Sequence, residues 1–351
     1  MENRGSPRLL VGLVVVVLIV GCNGTPPSAV SPTALASSSA VVSSTPATQA
    51  SPSVAASSAT MPMVQLQGRI VFARAGERYG DETIFMANAD GSDERQMTDL
   101  GKSCCGRVSP AGTQILYSIS SDDGRITTAI ENLDNGIVRS IPLPDATANL
   151  GPGAWAPDGK RLALQLWDDT DPSRDGVYTV RASDGADLVR LTDPGVADIP
   201  GGYAPDGAQL VVFRESNVQS VGELLLVNVD GSRDLRRISP DGVPVGFGSV
   251  RYAPDGSVIL FQEARTSSTG ALYTIRPDGT NLRKVFEDVD GKFASHPTWS
   301  PDGSMIMFAL SPVANDFEHR PNGLYVIGAD DTELRLVVGG RDFKREPEWF
   351  E

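Results

Sequence analysis

From residue 68 onward, short runs of Val, Ile, Leu, Phe and Tyr alternate with polar clusters built on Pro, Asp, Asn and Gly. The stretch Trp299-Ser300-Pro301-Asp302-Gly303-Ser304-Met305-Ile306-Met307-Phe308 shows the unit. A strand leads into a tight turn and an apolar, β-prone run leaves it. Pro fixes φ in such a turn, and Gly closes it where a positive φ is needed. Copies stand at Trp155-Ala156-Pro157-Asp158-Gly159, Tyr203-Ala204-Pro205-Asp206-Gly207 and Tyr252-Ala253-Pro254-Asp255-Gly256, with a weaker one at Val108-Ser109-Pro110-Ala111-Gly112. Successive prolines in this series are 47, 48, 49 and 47 residues apart. A second series, Asp90-Gly91, Asn135-Gly136, Asp184-Gly185, Asp230-Gly231, Asp278-Gly279 and the Gly-less Asp330-Asp331, follows apolar strands such as Leu272-Tyr273-Thr274-Ile275. Asp-Gly and Asn-Gly between apolar runs are strong hairpin signals. Two hairpins in every 48 or so residues predict blades of a β-propeller.

The second hairpin occurs six times, the first only five. The first repeat begins at Arg69-Ile70-Val71-Phe72-Ala73, which matches Met305-Ile306-Met307-Phe308-Ala309, so its innermost strand is missing. Glu346-Pro347-Glu348-Trp349-Phe350 resembles His296-Pro297-Thr298-Trp299-Ser300 and lies one period later. The expectation is an all-β, six-bladed propeller of four-stranded antiparallel blades, in which the C-terminal strand completes blade one. Closing the ring removes open sheet edges.

The Trp-Ser-Pro-Asp-Gly unit, its apolar strand and the Asp-Gly hairpin resemble the WD40-like (PD40) repeats of TolB-type propellers. The likeness covers residues 68–351 and implies that fold. TolB itself carries an α/β domain before its propeller, where this chain has a different segment.

That segment divides in two. Residues 1–21 read as a signal peptide, with Arg4 and Arg8 followed by the 12-residue apolar run Leu9–Val20. The run ends in Ile19-Val20-Gly21-Cys22, which resembles a bacterial lipobox. The resemblance implies cleavage before Cys22 and acylation of that residue, hence a bilayer anchor and an extracytoplasmic position in a bacterial envelope. A cleaved secretory signal with an incidental Cys, or an uncleaved anchor, is the competing reading. Residues 22–67 have no charge and are dominated by Ser, Thr, Ala and Pro. Such composition cannot build a core and reads as a disordered tether.

The formal net charge is −14. An acidic surface argues against binding nucleic acid. The Asp-Gly turns close hairpins on one rim of the propeller, so irregular loops gather on the opposite one, where scaffolds usually carry function. Candidate binding residues there are Asp122 and Asp123; Trp167, Asp168, Asp169, Asp171 and Asp175; and His319, with Glu77, Asp81, Glu82, Glu215, Asn315, Asp316 and Glu318 beside them. The Asp168 loop is expected to be solvated. Its spacing does not match a calcium loop, so no metal or cofactor is assigned.

His296 is expected just before an inner strand, facing the mouth of the central channel. Alignment on the turn puts Cys105, Pro152, Pro200, Ser249, His296 and Glu346 around that mouth. The ring is mixed in type and matches no metal or catalytic set. Cys104 and Cys105 are either a vicinal disulfide or two thiols. The repeated aromatics Trp155, Tyr203, Tyr252, Trp299 and Trp349 are expected to pack between blades rather than to stack on a ligand.

The sequence contains no Gly-x-Ser-x-Gly elbow, phosphate loop or His-Glu-x-x-His. The expectation is a membrane-tethered, monomeric binding scaffold that presents its loop rim to a protein, peptide or envelope polymer. The alternative is a propeller hydrolase or lyase using carboxylates, with or without a metal, near the central channel.

Overall fold

In a computed structural model, residues 65–351 are described, apart from 76–81, 99–101, 197, 217–220, 265–269, 288–291, 313–321 and 331–332. Residues 1–21, Cys22 and the tether through Val64 lie outside the described residues, as do Glu77, Asp81, Asn315, Asp316, Glu318 and His319.

The repeat becomes six antiparallel sheets among the described residues. From inside out, blade one is Phe343–Phe350, Arg69–Ala75, Glu82–Asn88 and Arg95–Gln96. Blade two is Ser103–Val108, Gln114–Ser120, Ile126–Asn132 and Val138–Ser140; blade three is Ala148–Trp155, Arg161–Asp168, Gly176–Arg181 and Val189–Arg190. Blade four is Asp198–Tyr203, Gln209–Glu215, Val221–Asn228 and Leu235–Arg237. Blade five is Arg251–Tyr252, Ile259–Gln262, Ala271–Ile275 and Arg283–Glu287. Blade six is Lys292–Trp299, Met305–Pro312, Gly323–Gly328 and Arg335–Val338. A short extra strand, Val245–Gly246, pairs with Val221–Gly222 on blade four.

The C-terminal strand closes the ring as expected. Arg69 pairs with Phe350, Ile70 with Trp349 and Val71 with Glu348. The turn glycines have the positive φ that their position demands, +69° at Gly159 and +73° at Gly303. In each such turn the Asp carboxylate accepts the amide two residues on, as Asp158 does from Lys160 at 2.9 Å.

Apolar side chains form six clusters, one at each blade junction. Trp155 packs on Leu116 and Ile130 of blade two, Tyr203 on Ala154 and Ala163 of blade three, and Tyr252 on Val211 of blade four. Trp299 packs on Leu260 of blade five, and Trp349 on Met305 and Met307 of blade six. All five are 7–9% exposed. The repeated aromatic is therefore the bolt between neighbouring sheets, as its recurrence predicts.

Candidate functional site

The inner strands are not regular. In each of several blades, two inner-strand residues stand opposite one residue of the next strand: Cys105-Gly106 against Tyr117, His296-Pro297 against Phe308, and Glu346-Pro347 against Phe72. These are β-bulges, which bend a strand and re-aim a side chain. The bulged residue is left-handed in all three cases, with φ of 66° at Cys105, 52° at His296 and 54° at Glu346. Non-glycine residues in this region are strained, and such strain concentrates at binding and catalytic sites.

The sequence expectation for His296 needs one correction. It lies inside the inner strand Lys292–Trp299, not before it. Pro297 resembles a strand start because it lacks a donor, but the bulge accommodates it. Cys105, Pro152, Pro200 and Glu346 likewise lie inside inner strands, whereas Ser249 stands just before Arg251–Tyr252.

Three blades meet at Glu346. The Glu346 carboxylate lies 3.8 Å from His296 Nε2 and 3.8 Å from Arg345 Nη1. One donor atom each from Cys104, Cys105 and Glu346 lie within 4.8 Å of one another. Cys104 and Cys105 are joined as a vicinal disulfide. Gln262 of blade five holds the His296 bulge, accepting its backbone N–H at 2.7 Å while donating to the Phe247 carbonyl at 2.9 Å. Arg345 pairs with the buried Glu82.

A second group spans the axis. Glu348 of blade one faces Arg251 of blade five at 3.4 Å and Arg107 of blade two at 4.0 Å. Burial, then the like charge of Arg107, brings Arg251 down to about 10. Burial alone would raise Glu346, but the positive charges of Arg345, His296, Arg107 and Arg251 outweigh it and keep its carboxyl below the ordinary 4.5. Glu82 goes the other way, raised by burial despite Arg345. Two neighbouring carboxyls are thus pushed apart, Glu346 below and Glu82 above the ordinary value. Glu346 is 7% exposed, and its Oε2 has no hydrogen-bond partner among the described residues.

The loop rim is built differently. Asp168 is not solvated; its side chain is fully buried. Its Oδ1 accepts from the Thr170 amide at 2.9 Å, the Thr170 hydroxyl at 2.7 Å and the Asp171 amide at 3.2 Å. Its Oδ2 accepts from the Thr147 hydroxyl at 2.8 Å and from Arg174 at 2.7 Å. Burial opposes these bonds, yet together they hold its carboxyl well below the usual range. Asp171 caps the 3-10 turn Pro172–Arg174 through Ser173, and Asp175, raised by burial, accepts the Asp168 amide at 2.9 Å. Trp167 is half-buried and lies over Gly151. Asp169 is exposed, as are Asp122 and Asp123, which pair with Lys102 and Arg125. The rim carboxylates of residues 168–175 thus hold their own loop together, and the axial residues are a separate assembly.

Sequence reasoning did not single out Arg107, Arg251, Arg345 or Glu348. A signal existed. Arg107, Arg251 and Glu348 occupy one repeat position, each two residues after a ring position.

Among the described residues, no helix is long and apolar enough to cross a membrane. The fold is similar to that of TolB from Acinetobacter baumannii, with a TM-score of 0.64 at 17% identity over 80% of this chain and 66% of that one. It is also similar to an oligogalacturonate lyase in complex with manganese, with a TM-score of 0.54 at 16% identity over 78% of this chain and 74% of that one. At these identities the likeness is one of fold. In sequence, 94 residues are 29% identical to an oligogalacturonide lyase of Pectobacterium atrosepticum, and 137 residues are 28% identical to an uncharacterized peptidase of Bacillus subtilis. These matches take in 26% and 38% of this chain but only 24% and 19% of the relatives' lengths. The TolB β-propeller domain model matches residues 65–350, and the chain belongs to that family.

Proposed function

We propose that the chain is a membrane-tethered extracytoplasmic binding propeller, anchored as a monomer through acylated Cys22, that takes a protein, peptide or envelope polymer at its axial channel and loop rim. The observation that carries this reading is the axial assembly. Strained bulges on three blades turn Cys105, His296 and Glu346 toward one another, and an ionised carboxylate there keeps one oxygen without a donor. Such an acceptor suits a ligand that offers an amine or hydroxyl.

Binding of the oxidised full chain to an array of free-amine peptides, N-acetylated peptides and amino-sugar oligomers tests this. Binding is expected to fall about tenfold or more in Glu346→Gln, as for loss of a charged hydrogen bond, and to persist in Asp134→Asn, exposed on the turn rim. Binding indifferent to Glu346→Gln, or absent from every probe, would overturn it.

A second reading is carbohydrate lysis or hydrolysis. It is favoured by the opposed tendencies of Glu82 and Glu346, which is the pattern of an acid and a base. The partial match to an oligogalacturonide lyase names a substrate to try. Release of unsaturated or reducing ends from oligogalacturonide by wild type, lost in Glu82→Gln, would replace the scaffold reading with this one.

A further inference from the structure

We propose that Cys104 and Cys105, once reduced, form with Glu346 a site for a thiophilic divalent cation such as Zn²⁺, with His296 as the fourth donor. This goes beyond the ligand reading, which concerns the oxidised channel, and does not depend on it.

Neighbouring residues of an ordinary strand point to opposite faces and cannot share a ligand. The left-handed φ of Cys105 cancels that alternation, so both sulfurs lie together. Glu346 arrives from another blade, through its own left-handed bulge, and places a carboxylate oxygen within 4.8 Å of both sulfurs. His296 Nε2, from a third blade, stands 3.8 Å from the same carboxylate but outside the group of donors within 4.8 Å, so its imidazole must turn toward the sulfurs to complete the set. Two sulfurs, one carboxylate oxygen and one imidazole nitrogen are a zinc donor set. Sulfur donors and a single carboxylate disfavour Mg²⁺ and Ca²⁺, which take oxygen ligands.

A second observation points to a ligand. Glu346 is buried, and its Oε2 lacks a hydrogen-bond partner among the described residues. Its Oε1 faces His296 and Arg345, but a buried acceptor such as Oε2 left without a donor is costly, and a cation bound at that oxygen removes the cost. Gln262 accepts the backbone N–H of His296 and so fixes the bulge from which the imidazole projects.

A dithiol reductant transfers two electrons and two protons, breaking the Cys104–Cys105 bond and leaving as its own disulfide. The two thiols, no longer bonded, move apart toward van der Waals distance, close to the sulfur separation in a tetrahedral zinc site. Binding of the cation then releases both thiol protons to solvent, since thiolates are the ligands. Cys104 and Cys105 are only half-buried, so a small dithiol reaches them.

The test uses the full chain and Co²⁺ alone, then Zn²⁺ in competition, after anaerobic reduction by a dithiol and its removal. Reduction is expected to expose two further thiols and create one Co²⁺ site with a sulfur-to-metal charge-transfer band, displaced by Zn²⁺. Oxidised protein should bind at least about 100-fold more weakly, and Glu346→Gln and His296→Asn should each weaken binding about tenfold or more. Cys104→Ser/Cys105→Ser should abolish the band while leaving Cys22 in place. If Glu346→Gln fails to fold, the wild-type band and the double serine variant still decide. The proposal falls if reduction exposes no thiols in folded protein, if reduced protein binds no Co²⁺, or if the band survives the double substitution. Loss of array binding with the Co²⁺ site intact would remove the ligand reading alone.

Discussion

Trp349→Ala probes how the ring is closed. Trp349 is 7% exposed and packs on Ile70 and Phe72 of its own blade and on Met305, Met307 and Val326 of blade six. Its Nε1–H donates to the Gln67 carbonyl at 2.8 Å, tying the chain's entry to its exit. A buried Trp covers about 150–250 Å², worth roughly 4–6 kcal/mol at about 25 cal/mol per Å². Truncation of such a side chain measures about 3–5 kcal/mol, since the cavity collapses in part. At about 2 °C per kcal/mol for a domain of this size, Tm should drop by about 6–10 °C. Trp349→Phe keeps most of the apolar area and loses the hydrogen bond, so about 1–2 kcal/mol and a few degrees are expected. Deleting Glu346–Glu351 removes the pairs Arg69–Phe350, Ile70–Trp349 and Val71–Glu348 and opens the inner edge of blade one. An unpaired edge beside exposed apolar faces should aggregate. Calorimetry and size-exclusion of the full chain at one concentration measure both. An alanine variant within about 2 °C of wild type, together with a monodisperse deletion, would refute ring closure as the source of stability, because a loss of ~3 kcal/mol cannot hide within that shift.

Asp168→Asn should destabilise by about 2–4 kcal/mol in denaturant unfolding, because a buried carboxylate with five bonds loses charge and acceptor capacity and Arg174 keeps only Asp145 as an ionic partner; a loss below about 0.5 kcal/mol would mean that the loop holds without it. Gly153→Ala should be more damaging than Gly159→Ala, since a Cβ at Gly153 overlaps the Ala163 carbonyl oxygen whereas the one at Gly159 meets only its φ penalty, about 1 kcal/mol; equal melting temperatures would contradict that packing. On acidification, Asp90, Asp278 and Asp302 respond last, held below the ordinary 3.8 chiefly by the hydroxyls of Ser92, Thr280 and Ser300. Their depressed folded values mean that their stabilisation is present above 3.8 and disappears as pH falls through those lower values, while Glu82, Glu131 and Asp198, raised by burial, favour the folded form as pH drops from neutral. Tm should therefore stay level or rise from about pH 7 to 5 and fall below about pH 4; a steady decline from pH 7 would show that other groups dominate.

Strands, turns, blade number and ring closure were legible because each obeys a rule confined to about 48 residues and then repeated. Pro301-Asp302-Gly303 needs only its own neighbours to make a turn, and Trp299 needs only the next blade to be buried. Asp168 was misjudged because carboxylate density says nothing about donors. Its partners Thr147 and Arg174 flank it in the fold, and Thr147 comes from the preceding connection. The axial group is harder still. Glu82, Cys105, Arg107, Arg251, His296 and Glu346 come from four blades, and no local pattern joins them.

One feature of the chain does carry that information. Side chains facing a neighbouring blade meet nearly the same surroundings six times, so the repeat constrains them to similar residues, as the aromatics show. Side chains facing the axis meet one another instead. A ring of six identical acids or bases there would repel itself, whereas unlike groups can pair, as Glu348 does with Arg107 and Arg251. The mixed series Cys105, Pro152, Pro200, Ser249, His296 and Glu346 is therefore no argument against a site. Where a repeat protein departs from its own repeat, on the one face the repeat leaves free, position-specific chemistry is the physical expectation, and in this chain the departures coincide with left-handed residues at Cys105, His296 and Glu346.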